Sequence, residues 1–162
     1  LGALVNPRSP TTEFQRRTLQ AAAATAGRRL VIAEAGTAAD FPRAFAALAD
    51  ARVAGLVVGA DPYFTGERRR ITTLANQYRL PAIYQWRQFA LDGGLASYGP
   101  DIDDAYAQAA GLVGRLLRGD PPATLPVVQP TKFQLVINLG TAREIGVTVP
   151  ATLLGRADEL IE

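Results

Sequence analysis

The sequence predicts an α/β fold built on a doubly wound parallel sheet. Three observations carry that expectation. Apolar runs of strand length alternate with longer stretches of helical periodicity, at the spacing of βαβ units. The apolar runs are continuous rather than alternating, as in "LGALV" and "VAGLVV", which is the pattern of strands covered on both faces. The runs end in turn-forming pairs such as Asn6-Pro7 and Asp61-Pro62, where the chain must leave a sheet. A chain of 162 residues, 48% hydrophobic and 20% charged, is long enough and apolar enough for one ordinary core.

Leu1 to Val5 reads as a buried strand from its first residue, so the natural start of the protein is expected upstream. Ser9 to Arg29 carries a helix signature, with Ser9 as cap, Pro10 at the first helical position and Gly27 as terminator. "RLVIAEAG" is the second strand. Residues 37–51 form a helix with Ala44, Phe45, Leu48 and Ala49 on one face. "RVAGLVVGADP" is the third strand, "ERRRITTLANQYRL" the next helix and "PAIYQW" the fourth strand. The alternation breaks after Trp86. "RQFALDGG" is a short helix or loop, and "GGLASYGP" a short strand or turn leaving the sheet. Residues 101–120 then form an amphipathic helix that starts on acids and ends on Arg and Gly. Its stripe of Ile102, Tyr106, Ala109, Ala110, Val113 and Leu117 needs a surface to cover, in its own chain or by pairing with a second copy. The Pro-rich stretch 119–133 is extended, because Pro fixes its own φ and keeps the preceding residue out of the helical region. It is either a strap between two bodies or a surface loop. "FQLVINL" reads as an isolated strand, and "TAREIGVTVP" and "ATLLGRADELIE" as two short helical pieces.

Composition narrows the chemistry. The chain has no Cys and no His, which removes thiolate chemistry, the usual general base and the usual metal ligand. A net charge of +2 gives no reason to expect nucleic acid as a partner. No apolar run approaches a membrane span. There is no glycine-rich phosphate loop, nucleophile elbow or zinc-protease motif, and no metal or other cofactor is expected. A phospho-receiver domain needs further acids after its first strand, where this chain has Asn6-Pro7-Arg8. Nothing assembles an acid, a base and a nucleophile, so no enzyme is expected.

In an open parallel sheet, ligands sit outside the carboxyl ends of the strands. The candidates there are Asn6, then Ser9 and Thr11 at a helix start, where free N–H groups favour an anion unless the hydroxyls simply cap. Asp61, beside Tyr63, either holds a ligand ammonium or hydroxyl or sets an Asx-turn. Tyr84 and Trp86 end the fourth strand. Trp86, the single Trp, reads as core or interface. Ser97 and Tyr98 lie near the point where the chain leaves the sheet.

The stretch "LPAIY…GGLASYGP…LLRGDPPATLPVVQPTKFQLVINLGTAREIGVTVP", with "LGALVNP" and "GADPYFTGERRRI", resembles the substrate-binding proteins of ABC transporters, a family that includes tryptophan- and tyrosine-binding lipoproteins. The resemblance implies one lobe of a type I periplasmic-binding fold. Two doubly wound lobes flank a cleft there, as in the ligand-binding core of lactose-repressor-like regulators. It also implies an arrangement of 1–88 as the second lobe, 89–124 as a crossover and helix belonging to the first lobe, and 125–162 as a return strand and terminal helices on the second lobe. The function it implies is non-catalytic capture of a small amino-acid-like solute, aromatic ones included, for a membrane permease, by hinge closure at a periplasmic or cell-surface location. Ligand contacts carried over are Asn6, Ser9, Thr11, Asp61, Tyr63, Tyr84 and Tyr98. A sensing or interaction domain of a regulatory protein, and a small α/β enzyme, are the other readings.

Overall fold

The computed structural model describes residues 1–162. Seven strands form one sheet in the order β2-β1-β3-β4-β5-β6-β7. They are β1 (Gly2–Val5), β2 (Val31–Glu34), β3 (Leu56–Val58), β4 (Ala82–Tyr84), β5 (Ala96–Pro100), β6 (Phe133–Asn138) and β7 (Glu159–Ile161). The helices are α1 (Thr12–Thr25), α2 (Asp40–Asp50), α3 (Pro62–Gly66), α4 (Arg68–Gln77), α5 (Arg87–Leu91), α6 (Ile102–Leu117), α7 (Leu139–Ile145) and α8 (Ala151–Leu154). Strands β1 to β5 are mutually parallel, β6 runs antiparallel to β5, and β7 runs parallel to β6.

The strand order decides where the helices go. The step from β1 to β2 moves one way across the sheet, and the steps through β3, β4 and β5 move the other way. Right-handed crossovers therefore put α1 on one face and α2 to α5 on the opposite face. The second group closes the core. Phe41, Ala44, Phe45 and Leu48 of α2, Phe64 of α3, Ile71 and Ala75 of α4 and Phe89 of α5 pack on Leu4, Ala33, Leu56, Val58, Ala82 and Tyr84. Burying each of the Phe, Leu, Ile and Val side chains stabilises the layer by about 1.5–3 kcal/mol.

Several expectations need correction. Helix α1 starts at Thr12, not at Pro10, because Ser9 and Pro10 are used in the turn where Ser9 N donates to Asn6 O. Gly27 does terminate it, at φ +62°. "FQLVINL" is not isolated: β6 pairs with β5 over five residue pairs and with β7 on its other side. The second half of "ATLLGRADELIE" is a strand rather than a helix, since α8 stops at Leu154 and β7 starts where Asp158 N donates to Leu135 O and Leu135 N donates to the Asp158 carboxylate Oδ2. The chain also leaves the sheet later than expected. Helix α5 packs on the sheet with Phe89 and Ala90 buried, and residues 96–100 are in it as β5, paired on both edges, so the departure falls at Asp101.

Helix α6 then stands away from the sheet with no buried residue. Its root is held by Asp101, which is itself buried. Oδ1 of Asp101 accepts from the N–H groups of Asp103 and Asp104, capping the helix, while Oδ2 accepts from Gln134 Nε2 and Lys132 Nζ, both at 2.8 Å. One carboxylate thus ties the outgoing segment to the returning one.

Candidate functional site

The site is built at the carboxyl edge of β1, β3 and β4. Asn6 ends β1 and is buried, and its Nδ2 donates to Asp61 Oδ1 at 3.0 Å. Its own Oδ1 accepts from Arg8 N at 3.0 Å, which turns the following loop. The Thr12 hydroxyl reaches back to the carbonyls of Asn6 and Ser9. Gln15 Nε2 donates to Thr11 Oγ1 at 2.9 Å and across to Ala60 O at 2.8 Å. The loops after β1 and β3 are therefore locked together by the Asn6–Asp61 and Gln15–Ala60 hydrogen bonds.

Asp61 follows β3 in an extended conformation and caps α3. Its Oδ1 accepts from Tyr63 N at 2.9 Å and Phe64 N at 3.3 Å, with Pro62 at the first helical position. The expected Asx-type cap is thus present, and it occupies one oxygen only. The side chain is 4% exposed, yet Oδ2 has no hydrogen bond, no Arg or Lys pairs with it, and it is not sealed from solvent. Asp61 borders a hollow of about 460 Å³ lined also by Ala60, Pro62, Thr65, Gln85 and Trp86. A second hollow of about 340 Å³ lies on the other side of Trp86, against Arg87, Asp101, Asp103 and Gln134. There Arg87 and Asp101 are already paired. Arg87 donates to both carboxylate oxygens of Glu159 at 2.6 Å, a fork that raises the guanidinium pKa and holds Glu159 below the usual carboxylate range. The hydrogen bond from Lys132, and then those from backbone N–H groups, likewise hold Asp101 low.

The positions of Gln85 and Trp86 depend on Gly99. A Cβ at Gly99 would sit 1.8 Å from Gln85 O, so only glycine lets the end of β4 cross β5 this closely. The carboxylates of this edge are spread along it and form no metal-binding cluster.

Of the residues singled out from sequence, Asn6 and Asp61 touch, and Ser9 and Thr11 stand on the adjoining loop with their hydroxyls 3.1 Å apart. The Tyr63 ring turns away and stacks on Phe41 at 6.1 Å, leaving its backbone N–H as its contribution. Tyr84 is a correction. It is 2% exposed, stacked on Phe89 at 4.7 Å, and belongs to the core. Tyr98 is another. It projects from the opposite face of the sheet, beside Ile83 and Phe14, and stacks on Phe133. Ser97 is buried within β5. Sequence reasoning passed over Gln85, Thr65 and Trp86 as site walls. The signal available for Trp86 was its place directly after the fourth strand.

A family model described as ABC transporter substrate binding protein matches residues 1–161. Among solved structures, a conserved domain protein from Vibrio cholerae is 28% identical with a TM-score of 0.87, over 98% of this chain and 53% of its own. The ABC domain from Streptococcus pneumonia in complex with L-Trp is 22% identical, TM-score 0.86, over 99% of this chain and 54% of its own. A ligand-free, open substrate binding protein with adhesive properties from Clostridium difficile is 16% identical, TM-score 0.74, over 99% of this chain and 53% of its own. The chain spans about half the length of each of these structures. No curated protein matches it.

Proposed function

This chain belongs to the ABC transporter substrate-binding protein family, and from that premise we propose that it is the solute-capturing second lobe of a two-lobed protein feeding a membrane permease. Residues 1–100 and 133–162 form the lobe. Helix α6 and the Pro-rich strap reach across to the first lobe and return, with Asp101 at the crossing. Solute enters at the carboxyl edge of the sheet, and the two lobes close on it about the crossing segments. The protein acts outside the cytoplasmic membrane, at the cell surface or in the periplasm, and turns nothing over. No helix is long and apolar enough to cross a membrane.

The observation that carries this reading is Asp61. Its carboxylate is held by three donors on Oδ1 while Oδ2 has no hydrogen bond, and the residue lines an open hollow without a cationic partner. A buried charge left in that state favours a ligand that completes it, such as the ammonium of an amino-acid-like solute. The Streptococcus structure of the same fold holds L-Trp, which supports an amino acid, with an aromatic body among those accommodated. Calorimetric titration with a panel of L-amino acids and sugars tests the reading. Asp61→Asn keeps an acceptor for the cap but loses the charge, and its affinity is expected to fall about tenfold or more, since a hydrogen bond to a charged group contributes about 1.5–3 kcal/mol. An undiminished affinity, or mass-spectrometric conversion of any probe, would overturn it.

A further inference from the structure

We propose that Trp86 is the platform for the solute's apolar body, and that Trp86 and Asp61 together select solutes in which a cationic nitrogen adjoins a flat apolar group; this rests on the solute-binding reading above. Trp86 is the one side chain that walls both hollows of the carboxyl edge. It is only half-buried: part of the indole packs against the core, and Nε1 makes no hydrogen bond within the chain. An indole with one apolar side anchored and its N–H free at a wet edge suits a ligand face better than a packing role. Its backbone is fixed from below by the approach of Gln85 to Gly99. The strand end that carries the indole is therefore set in place by the sheet, which lowers the cost of positioning it.

The charge pattern supplies the other half of the selection. Two carboxylates of this edge are buried, Asp61 and Asp101. Asp101 is satisfied by Lys132 and Gln134, and Arg87 by Glu159, so the second hollow has its cations in use. Asp61 alone of the buried pair lacks a cation, and it shares its hollow with Trp86. A cationic nitrogen that meets Oδ2 there lies beside the indole, where the ring face adds a cation–π attraction. A solute bearing a carboxylate but no cationic nitrogen meets unscreened repulsion from Asp61 at the same place.

Trp86 is the only tryptophan, so emission excited at the red edge, beyond the absorption of the five tyrosines, reports this position alone. Titration of the chain with L-phenylalanine, phenethylamine and 3-phenylpropionate, followed by fluorescence and calorimetry together, is the test. L-Phenylalanine and phenethylamine are expected to bind and to change the emission, and 3-phenylpropionate to do neither. Trp86→Ala is expected to weaken phenethylamine binding about fivefold, the scale of one aromatic contact. Trp86→Phe retains most of it and guards against a variant that fails to fold. Calorimetric binding with unchanged emission and an unaffected Trp86→Ala overturns the proposal, as does 3-phenylpropionate binding as well as phenethylamine. If none of the three binds while other amino acids or sugars do, the proposal fails and solute capture stands; if nothing binds, both fail.

Discussion

Tyr84 carries one of two buried polar atoms without a partner, its hydroxyl; the other is Arg16 Nε. Burial pushes the phenol pKa well up, so the group stays neutral throughout the physiological range. A buried hydroxyl without a hydrogen bond contributes desolvation cost and nothing in return. Tyr84→Phe is therefore expected to leave the thermal midpoint unchanged or raise it, with the ring still stacked on Phe89. A loss beyond about 1 kcal/mol would reveal a hidden hydrogen-bond partner. The same residue shows what a sequence can and cannot say about a site. Asn6 and Asp61 were legible because the last polar residue of a parallel strand lies at the ligand edge whichever way the strand faces. Tyr84 and Tyr98 were not. A run apolar on both sides gives no period-2 contrast to tell which face each ring takes, and here one ring enters the core and the other faces solvent. Trp86 was legible in position but not in role, because only the structure shows that hollows flank it.

Among the elements, the well-read ones are those with full-length periodicity: α1, α2, α4, α6 and the first four strands. The misread ones, α3 and β7, are short, and their state is decided by a cap or by pairing rather than propensity. β7 has three residues and exists through its register with Val136 to Asn138. α3 has five residues and depends on its Asp61 cap. The root of α6 depends in the same way on Asp101. Its carboxyl pKa is lowered first by the Lys132 hydrogen bond and then by backbone N–H groups. A folded-state value below the unfolded one means that the contribution is fully present above the ordinary aspartate range, about 3.9, and is lost as pH falls through the depressed value. Glu159, held low by Arg87, works in the same direction. The clamp between the outgoing and returning segments is therefore expected to loosen in acid while β1 to β4 remain folded. The readout is hydrogen exchange at the Asp101 amide, which donates to Lys132 O at 3.0 Å, corrected for the intrinsic pH dependence of exchange. Asp101→Ala should show the loosened exchange at neutral pH as well. Equal protection in wild type and variant, or protection that persists until global acid unfolding, would show that β5–β6 pairing alone holds the root.

At the scale of the whole molecule, the two faces of the sheet are unequal. The α2–α5 face is sealed, whereas beyond α1 the opposite face presents Ile83, Tyr98, Phe133 and Leu160 to solvent, with Phe14 of α1 at the rim of a groove of about 350 Å³. Register places Val57, Ile83 and Tyr98 on that face, with Phe133 and Leu135 across the β5–β6 pair, so no charged side chain interrupts it from β3 to β6. A parallel sheet is normally covered on both faces, and α6 adds a second uncovered stripe through Tyr106, Val113 and Leu117. Two such surfaces on a chain spanning about half the length of its structural relatives make exposure of this size unfavourable in water. The 162-residue chain on its own is expected to self-associate, with sedimentation at micromolar concentration giving a mass above 17.2 kDa. The two surfaces predict different remedies. Ile83→Ser with Tyr98→Ser restores a monomer if the bare sheet face drives association, and Tyr106→Ser with Leu117→Ser restores it if exchange of the α6 arm does. Because the face carries aromatic and β-branched side chains on a rigid sheet while α6 is tethered at one end by Asp101, the sheet-face pair is expected to have the larger effect. A wild-type chain that sediments as a monomer, with α6 resistant to proteolysis, would mean instead that α6 folds down onto its own sheet and covers the groove itself.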